Sequence, residues 1–171
     1  MVDPIEELKV RARRLQRQAE AGEEEALARL KVARKSDPEG PVQRRHCLSA
    51  LAREYGFAGW SHATRVIDGE AEEADFGTTL YPGRCCGFTN NWYASYDEAC
   101  GARQTLGGYL LAYRRQFFVV TGQYIEALGL DPKDPDWEAI GHDWARPQDR
   151  SARKRLYGRL LARPGARARL H

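Results

Sequence analysis

Residues 109–120 read YLLAYRRQFFVV. Aromatic and β-branched side chains crowd this stretch, most densely at its far end, and that composition marks a strand rather than a helix. Gly107 and Gly108 stand before it and break the segment that precedes them. Both faces are apolar apart from Arg114, Arg115 and Gln116, which predicts a strand that is central or covered by helices. One unbroken strand would send Arg114 and Arg115 to opposite faces. An arginine among Leu111, Phe117 and Phe118 then needs a partner, because an unpaired buried charge costs several kcal/mol. Asp136, Glu138 and Asp143 are the obvious suppliers, and an anion site is the alternative use of the same side chain.

Upstream of this strand the chain reads as helical. Ile5, Leu8, Ala12, Leu15 and Ala19 recur at spacings of three and four, which gives one apolar stripe. Gly22 ends that helix, and Glu23, Glu24 and Glu25 suit the positive end of the next, which carries Ala26, Leu27, Leu30 and Ala33. A third helix runs from about Val42 to Tyr55, with Gly56 at the left-handed position that closes it. Phe57 and Trp60 follow as hydrophobic pegs, then a short helix to about Ile67. The acidic run DGEAEEAD, residues 68–75, is the best linker. Beyond it, FGTTLY (76–81) reads as a short strand and 84–95 as irregular, with a helix over 96–104 capped by Ser95. Three helices close the chain at 121–129, 134–141 and 149–162. The fold class is therefore α+β. A helical module (1–68) and an acidic linker (69–75) lead to a small α+β unit (76–163) with a short sheet centred on 109–120, then a basic tail (164–171).

Composition bounds the function classes. With 171 residues the chain is one domain, or one domain and a small appendage. Five Phe, eight Tyr and four Trp are too many for a disordered chain. No apolar run reaches the roughly eighteen residues of a membrane span, and MVDPIEELKV lacks a basic leader, so a cytoplasmic protein with no membrane partner is expected. The net charge of +3 conceals a segregation. Residues 120–145 carry one basic and six acidic side chains, while 146–171 carry nine basic and one acidic. Internal pairing between the two segments is favoured over a uniformly basic face.

Four groups of residues invite a functional reading. Cys85 and Cys86, with Cys100 and with His142 or Asp143, offer zinc-type ligands or a reactive thiol. Adjacent cysteines diverge, however, and the usual spacing of metal ligands is absent, so buried or incidental thiols are the plainer reading and no metal or cofactor is expected. A loop before a helix presents Asn90, Asn91, Tyr93, Tyr96 and Asp97 as donors, acceptors and flat rings. Arg114 and Arg115 stand with the downstream segment 137–144, which contains His142 and Trp144. The closing helix bears Arg150, Arg153, Lys154, Arg155 and Arg159, a solvated face or a contact for nucleic acid. A helix-turn-helix reading of residues 48–67 fits badly, because His62 stands where an apolar core residue is expected.

ARRLQRQAEAGEEEALARLK followed by LSALAREYGFAGW resembles a helical module at the start of many bacterial ankyrin-repeat proteins. The resemblance covers residues 5–68 and implies a bacterial cytosolic protein in two parts. No ankyrin signature follows in 76–163, a region similar to short uncharacterised bacterial proteins, so no activity and no catalytic residue is carried over. No recognisable catalytic motif is present. The expectation is a binding module for a protein partner or a small anionic ligand, through Asn90, Asn91, Tyr93, Tyr96, Asp97, Arg114, Arg115, His142 and Trp144. The alternatives are a metal- or thiol-dependent enzyme using Cys85, Cys86 or Cys100, and nucleic-acid binding through the basic C-terminal helix.

Overall fold

The computed structural model describes residues 3–35, 39–69 and 75–162. Most of the expected linker (70–74) and the expected basic tail (164–171) lie outside the described residues. Helix α1 (Pro4–Glu20) begins where the Asp3 carboxylate accepts the Ile5 and Glu6 amides, with Pro4 in the first turn, where a missing N–H costs nothing. It buries the predicted stripe of Ile5, Leu8, Ala12, Leu15 and Ala19 against α2 (Glu24–Leu30) and α3 (Arg44–Glu54). Helix α4 (Trp60–Asp68) follows the left-handed Gly56 and completes the helical layer.

A three-stranded antiparallel sheet makes the second layer. Strand β1 (Asn91–Tyr93) leads into α5 (Tyr96–Leu106), where the Ser95 hydroxyl accepts the Glu98 amide at 3.2 Å as expected of a cap. Strands β2 (Tyr109–Tyr113) and β3 (Gln116–Val120) form a hairpin, and the sheet order is β1–β3–β2. The register places Trp92 opposite Phe118 and Phe118 opposite Leu111, so these three share a face with Tyr109, Tyr113 and Val120. That face joins the main core. The other face carries Tyr93, Phe117, Leu110 and Ala112 and is covered by α5, through a smaller cluster that includes Ala99, Phe76 and Tyr96.

The chain finishes in α6 (Gly122–Leu128), α7 (Pro135–Ala139) and α8 (Arg150–Ala162), in the three places the sequence indicates. Helix α8 returns to pack on α1 and α4, so one continuous hydrophobic core runs from Ile5 to Leu161. The helical part and the sheet part are thus packed on one another. The architecture is α+β as expected. Among the described residues no helix is long and apolar enough to cross a membrane.

Three local expectations need correction. Residues 109–120 are a hairpin and not one strand, because Arg114 adopts a left-handed φ of 51° and turns the chain between Tyr113 and Gln116. The two arginines therefore sit at the exposed tip, and neither is an inward-pointing charge calling on Asp136, Glu138 or Asp143. Residues 76–81 form no strand, since Gly77 takes a φ of 73° and its neighbours bond to the tip and to the α3–α4 turn. Inside the segment expected to be irregular, Asn91–Tyr93 pair with β3. A three-residue run carries too short a hydrophobic alternation to announce itself.

The acidic and basic segments pair as their opposite charges suggest. Asp136, only 6% exposed, receives Arg155 on both of its oxygens and Arg159 at 2.5 Å, and Arg159 also meets Asp134 at 3.0 Å. Lys154 bridges Asp3 and Asp68, each at 2.6 Å. Hydrogen bonds from Arg155 hold the Asp136 carboxyl below its usual range, outweighing its burial. A depressed folded value means that the stabilisation is complete above the unfolded carboxylate value of about 4 and is lost as pH falls through the folded value. Asp136→Asn leaves two guanidinium groups that water can reach, so at pH 7 it should cost about 2 kcal/mol, less than the full loss of a buried pair. Urea denaturation across pH should show the two proteins converging below about pH 4. A constant gap down to pH 2 would refute the assignment.

Candidate functional site

Two glycines create the most distinctive cleft. The turn after α3 and the segment 75–79 approach so closely that a Cβ at Gly56 would strike Thr78 and the Thr79 amide, and one at Gly77 would strike the Gly56 carbonyl. In return the Thr78 amide donates to the Gly56 carbonyl at 2.8 Å, and the Thr79 hydroxyl donates to the Tyr55 carbonyl at 2.6 Å. The β2–β3 tip is tied to the same segment. Phe76 N–H donates to the Arg114 carbonyl at 2.9 Å, and Arg114 N–H donates to the Gly77 carbonyl at 2.7 Å. Between these pieces lies a cleft of about 290 Å³ lined by Arg53, Gly56, Phe57, Ala58, His62, Asp75, Gly77, Thr78 and Arg114.

Its polar groups are largely fixed. His62 accepts the Ala58 amide on Nδ1 at 3.0 Å, so the ring proton sits on Nε2, which donates to the Asp75 carbonyl at 2.7 Å. The Asp75 carboxylate accepts the Gly77 amide at 2.8 Å. Arg53 makes one long bond, from Nε to the Ala58 carbonyl at 3.4 Å. The Arg114 guanidinium lies over the Tyr113 ring, 5.7 Å from its centre. Neither arginine has a carboxylate partner among the described residues, and each keeps most of its donors for another group.

Only Arg114 of the nominated residues lines this cleft. Arg115 is exposed beside it at the tip. Asn91 and Tyr93 lie on β1, on the face covered by α5, with Asn90 just before them and Asp97 exposed in the first turn of α5. Tyr96 donates its hydroxyl to the Asp143 carboxylate at 2.5 Å, and the Arg146 guanidinium stacks 3.9 Å over its ring. Asp143 also accepts the Arg146 amide at 2.9 Å, and burial together with Asp143 pushes the Tyr96 phenol well up, so it remains a donor. This pair pins α5 to the 142–146 loop, which in turn pairs with β2 at Leu110. His142 has a left-handed φ of 55° and its ring packs 5.1 Å from that of Tyr109. Burial and the Arg103 charge hold its imidazole below the ordinary value. Trp144 is fully buried, 4.7 Å from the Tyr157 ring, and serves the core.

The thiols and the basic helix are accounted for differently. Among the described residues no three His, Cys, Asp or Glu side chains gather as a metal site. Cys85 is buried, which pushes its thiol up, away from thiolate activation, while Cys86 is exposed and Cys100 half-buried. On α8, Lys154, Arg155 and Arg159 hold carboxylates, and Arg153 is buried. Of that predicted basic face, Arg150 remains exposed. No family model, no curated protein and no solved structure matches this chain.

Sequence reasoning passed over Arg53, Asp75, Gly77 and Thr78. One signal was present: His62, a polar side chain at a position that helical spacing assigns to the core. Arg114 carries another, visible only in the fold. A left-handed backbone at a hairpin tip is the place for glycine or asparagine, and arginine held there carries strain. Arg114→Gly should therefore stabilise the protein by about 1 kcal/mol, read as a higher urea midpoint at unchanged slope. A drop in midpoint would mean that the side chain holds the hairpin, and that its role is structural.

Proposed function

We propose that the protein is a binding module for a small anionic ligand, taken into the cleft between the α3–α4 turn and the β2–β3 tip. The observation that carries this reading is the pair of arginines, Arg53 and Arg114, that line one cleft with no carboxylate on either among the described residues. The nearby backbone N–H groups of Ala58, Gly77, Thr78 and Arg114 are already bonded within the protein. Anion recognition thus falls to the guanidinium groups, whose planar forks suit a phosphate or carboxylate. A volume near 290 Å³ is at the small end for ligand sites and suits a compact anionic head group. Asp75 sets the limit on charge, since its carboxylate lines the same space and opposes an anion placed on its side. The amino-terminal helical module has a definite place in this reading: it supplies Arg53, Gly56, Phe57 and His62.

Titration with inorganic phosphate tests it. Calorimetry at low salt should give one binding event per chain, weakening as salt rises, together with a melting temperature raised by a few degrees at saturation. Arg114→Gly should abolish the event while remaining folded. Binding that survives in this variant, or no binding by the native protein to phosphate, sulfate or small carboxylates, would remove the proposal.

A further inference from the structure

An aromatic cluster adjoins the cleft at Arg114. Tyr113, over whose ring the Arg114 guanidinium lies at 5.7 Å, belongs to an aromatic cluster with Tyr81, Trp92 and Phe118. Tyr81 itself follows the cleft residue Thr78 by one turn, its amide donating to the Thr78 carbonyl at 3.1 Å. Within the cluster the Trp92 indole stacks on Phe118, 4.5 Å between centres and 20° between planes. Tyr81 is 5.2 Å from Trp92 and 6.0 Å from Phe118, and these three separations place it beside the indole rather than over its face. Phe118 therefore covers one face of the indole, and Trp92 is still 39% exposed, unlike the fully buried Trp137 and Trp144. A stacked tryptophan open to solvent, one ring away from a guanidinium with no carboxylate among the described residues, is an arrangement for a ligand with two parts.

We infer that the ligand of this cleft is a nucleoside monophosphate, with its phosphate on Arg53 and Arg114 and its base on Trp92. The inference rests on the anion-binding reading above and specifies the ligand's second half. Arg114 to Tyr113 is 5.7 Å and Tyr113 to Trp92 is 5.9 Å, so the guanidinium and the indole lie within about 12 Å of one another, a gap that such a molecule bridges with a phosphate contact at one end and a stacking contact at the other. A flat, weakly hydrated base gains from an aromatic face that carries no hydrogen-bonding demand of its own. Stacking of this kind reads no base edge, so any preference follows stacking strength and favours purines, with the larger ring.

The test compares adenosine 5′-monophosphate, ribose 5-phosphate, adenosine and inorganic phosphate on the full chain. The nucleotide should bind about tenfold more tightly than ribose 5-phosphate, the gain that one base stacked on an aromatic ring typically gives. It should also quench tryptophan emission, whereas ribose 5-phosphate should not. Trp92→Leu should bring the nucleotide down to the affinity of ribose 5-phosphate and remove the quenching, and Trp92→Phe should restore part of both. Equal affinity for the two phosphates, or quenching that persists in Trp92→Leu, overturns the inference and leaves the anion site standing. Failure of every phosphate to bind defeats both readings together. Adenosine binding as tightly as its monophosphate overturns the assignment of the phosphate to the arginines.

Discussion

A single buried cation ties the molecule together. Arg153, 3% exposed, leaves α8 and donates from Nη1 to the Trp144 carbonyl at 2.9 Å and from Nη2 to the Val66 carbonyl at 3.2 Å. No carboxylate pairs with it among the described residues. Burial pulls its guanidinium below the ordinary value, and the compensation comes from dipoles instead of charge. Val66 lies in the last turn of α4, where carbonyls lack helical partners and the helix presents its negative end. The Tyr157 ring lies 6.0 Å below. One side chain thus bonds both the end of α4 and the Trp144 loop, while its Nε stays buried without a hydrogen-bond partner. Gly69, which closes α4 with a φ of 70°, could carry no Cβ without striking the same guanidinium.

From that fixed point the position of the cleft follows. Trp144 packs between Trp137 and Tyr157, and the loop on either side of it pairs with Leu110 of β2. The sheet is thereby set against the helical layer, and its far end, the Arg114–Arg115 tip, meets the segment 76–77 and the turn that follows α3. Each face of the sheet has its own core, α5 on one and Tyr124 of α6 with Trp137 of α7 on the other, so the hairpin cannot roll without exposing one of them. A tip held from both sides can keep a strained arginine. His142 is the other non-glycine residue with a left-handed backbone among the described residues, and it stands where the same loop begins to pair with β2.

Most of the helical architecture was legible because it is written in spacing. The apolar stripe of α1, the Ser95 cap of α5 and the closing of α3 at Gly56 are local features, each set by a few neighbouring side chains. The sheet was legible only in outline. YLLAYRRQFFVV has the composition of strand throughout, and nothing in its pattern distinguishes one long strand from two short ones, since a hairpin turn ordinarily signals itself by glycine or asparagine. Arginine at the turn hid the hairpin, and with it the true surroundings of Arg114. The cleft itself joins residues 53–62 to 75–78 and 114, a contact set by packing between layers that sequence periodicity does not report. The nominated residues gathered only in part for the same reason: Tyr93, Tyr96 and the 142–146 loop meet across α5, Arg114 faces elsewhere, and Trp144 is interior.

Charge accounting narrows what the surface can do. A chain with a basic closing helix invites a polyanion, and the structure answers with carboxylates from Asp3, Asp68, Asp134 and Asp136 on the helix's own lysine and arginines. Those pairs hold α8 against α7 and the first layer, so the charge of Lys154, Arg155 and Arg159 is taken up in internal pairing. Arg114 is the opposite case. It occupies a backbone position that favours a smaller residue, lies against an aromatic ring, and meets no carboxylate among the described residues. An arginine at a strained position that lines a cleft, with no carboxylate on it among the described residues, is suited to a partner from outside the chain.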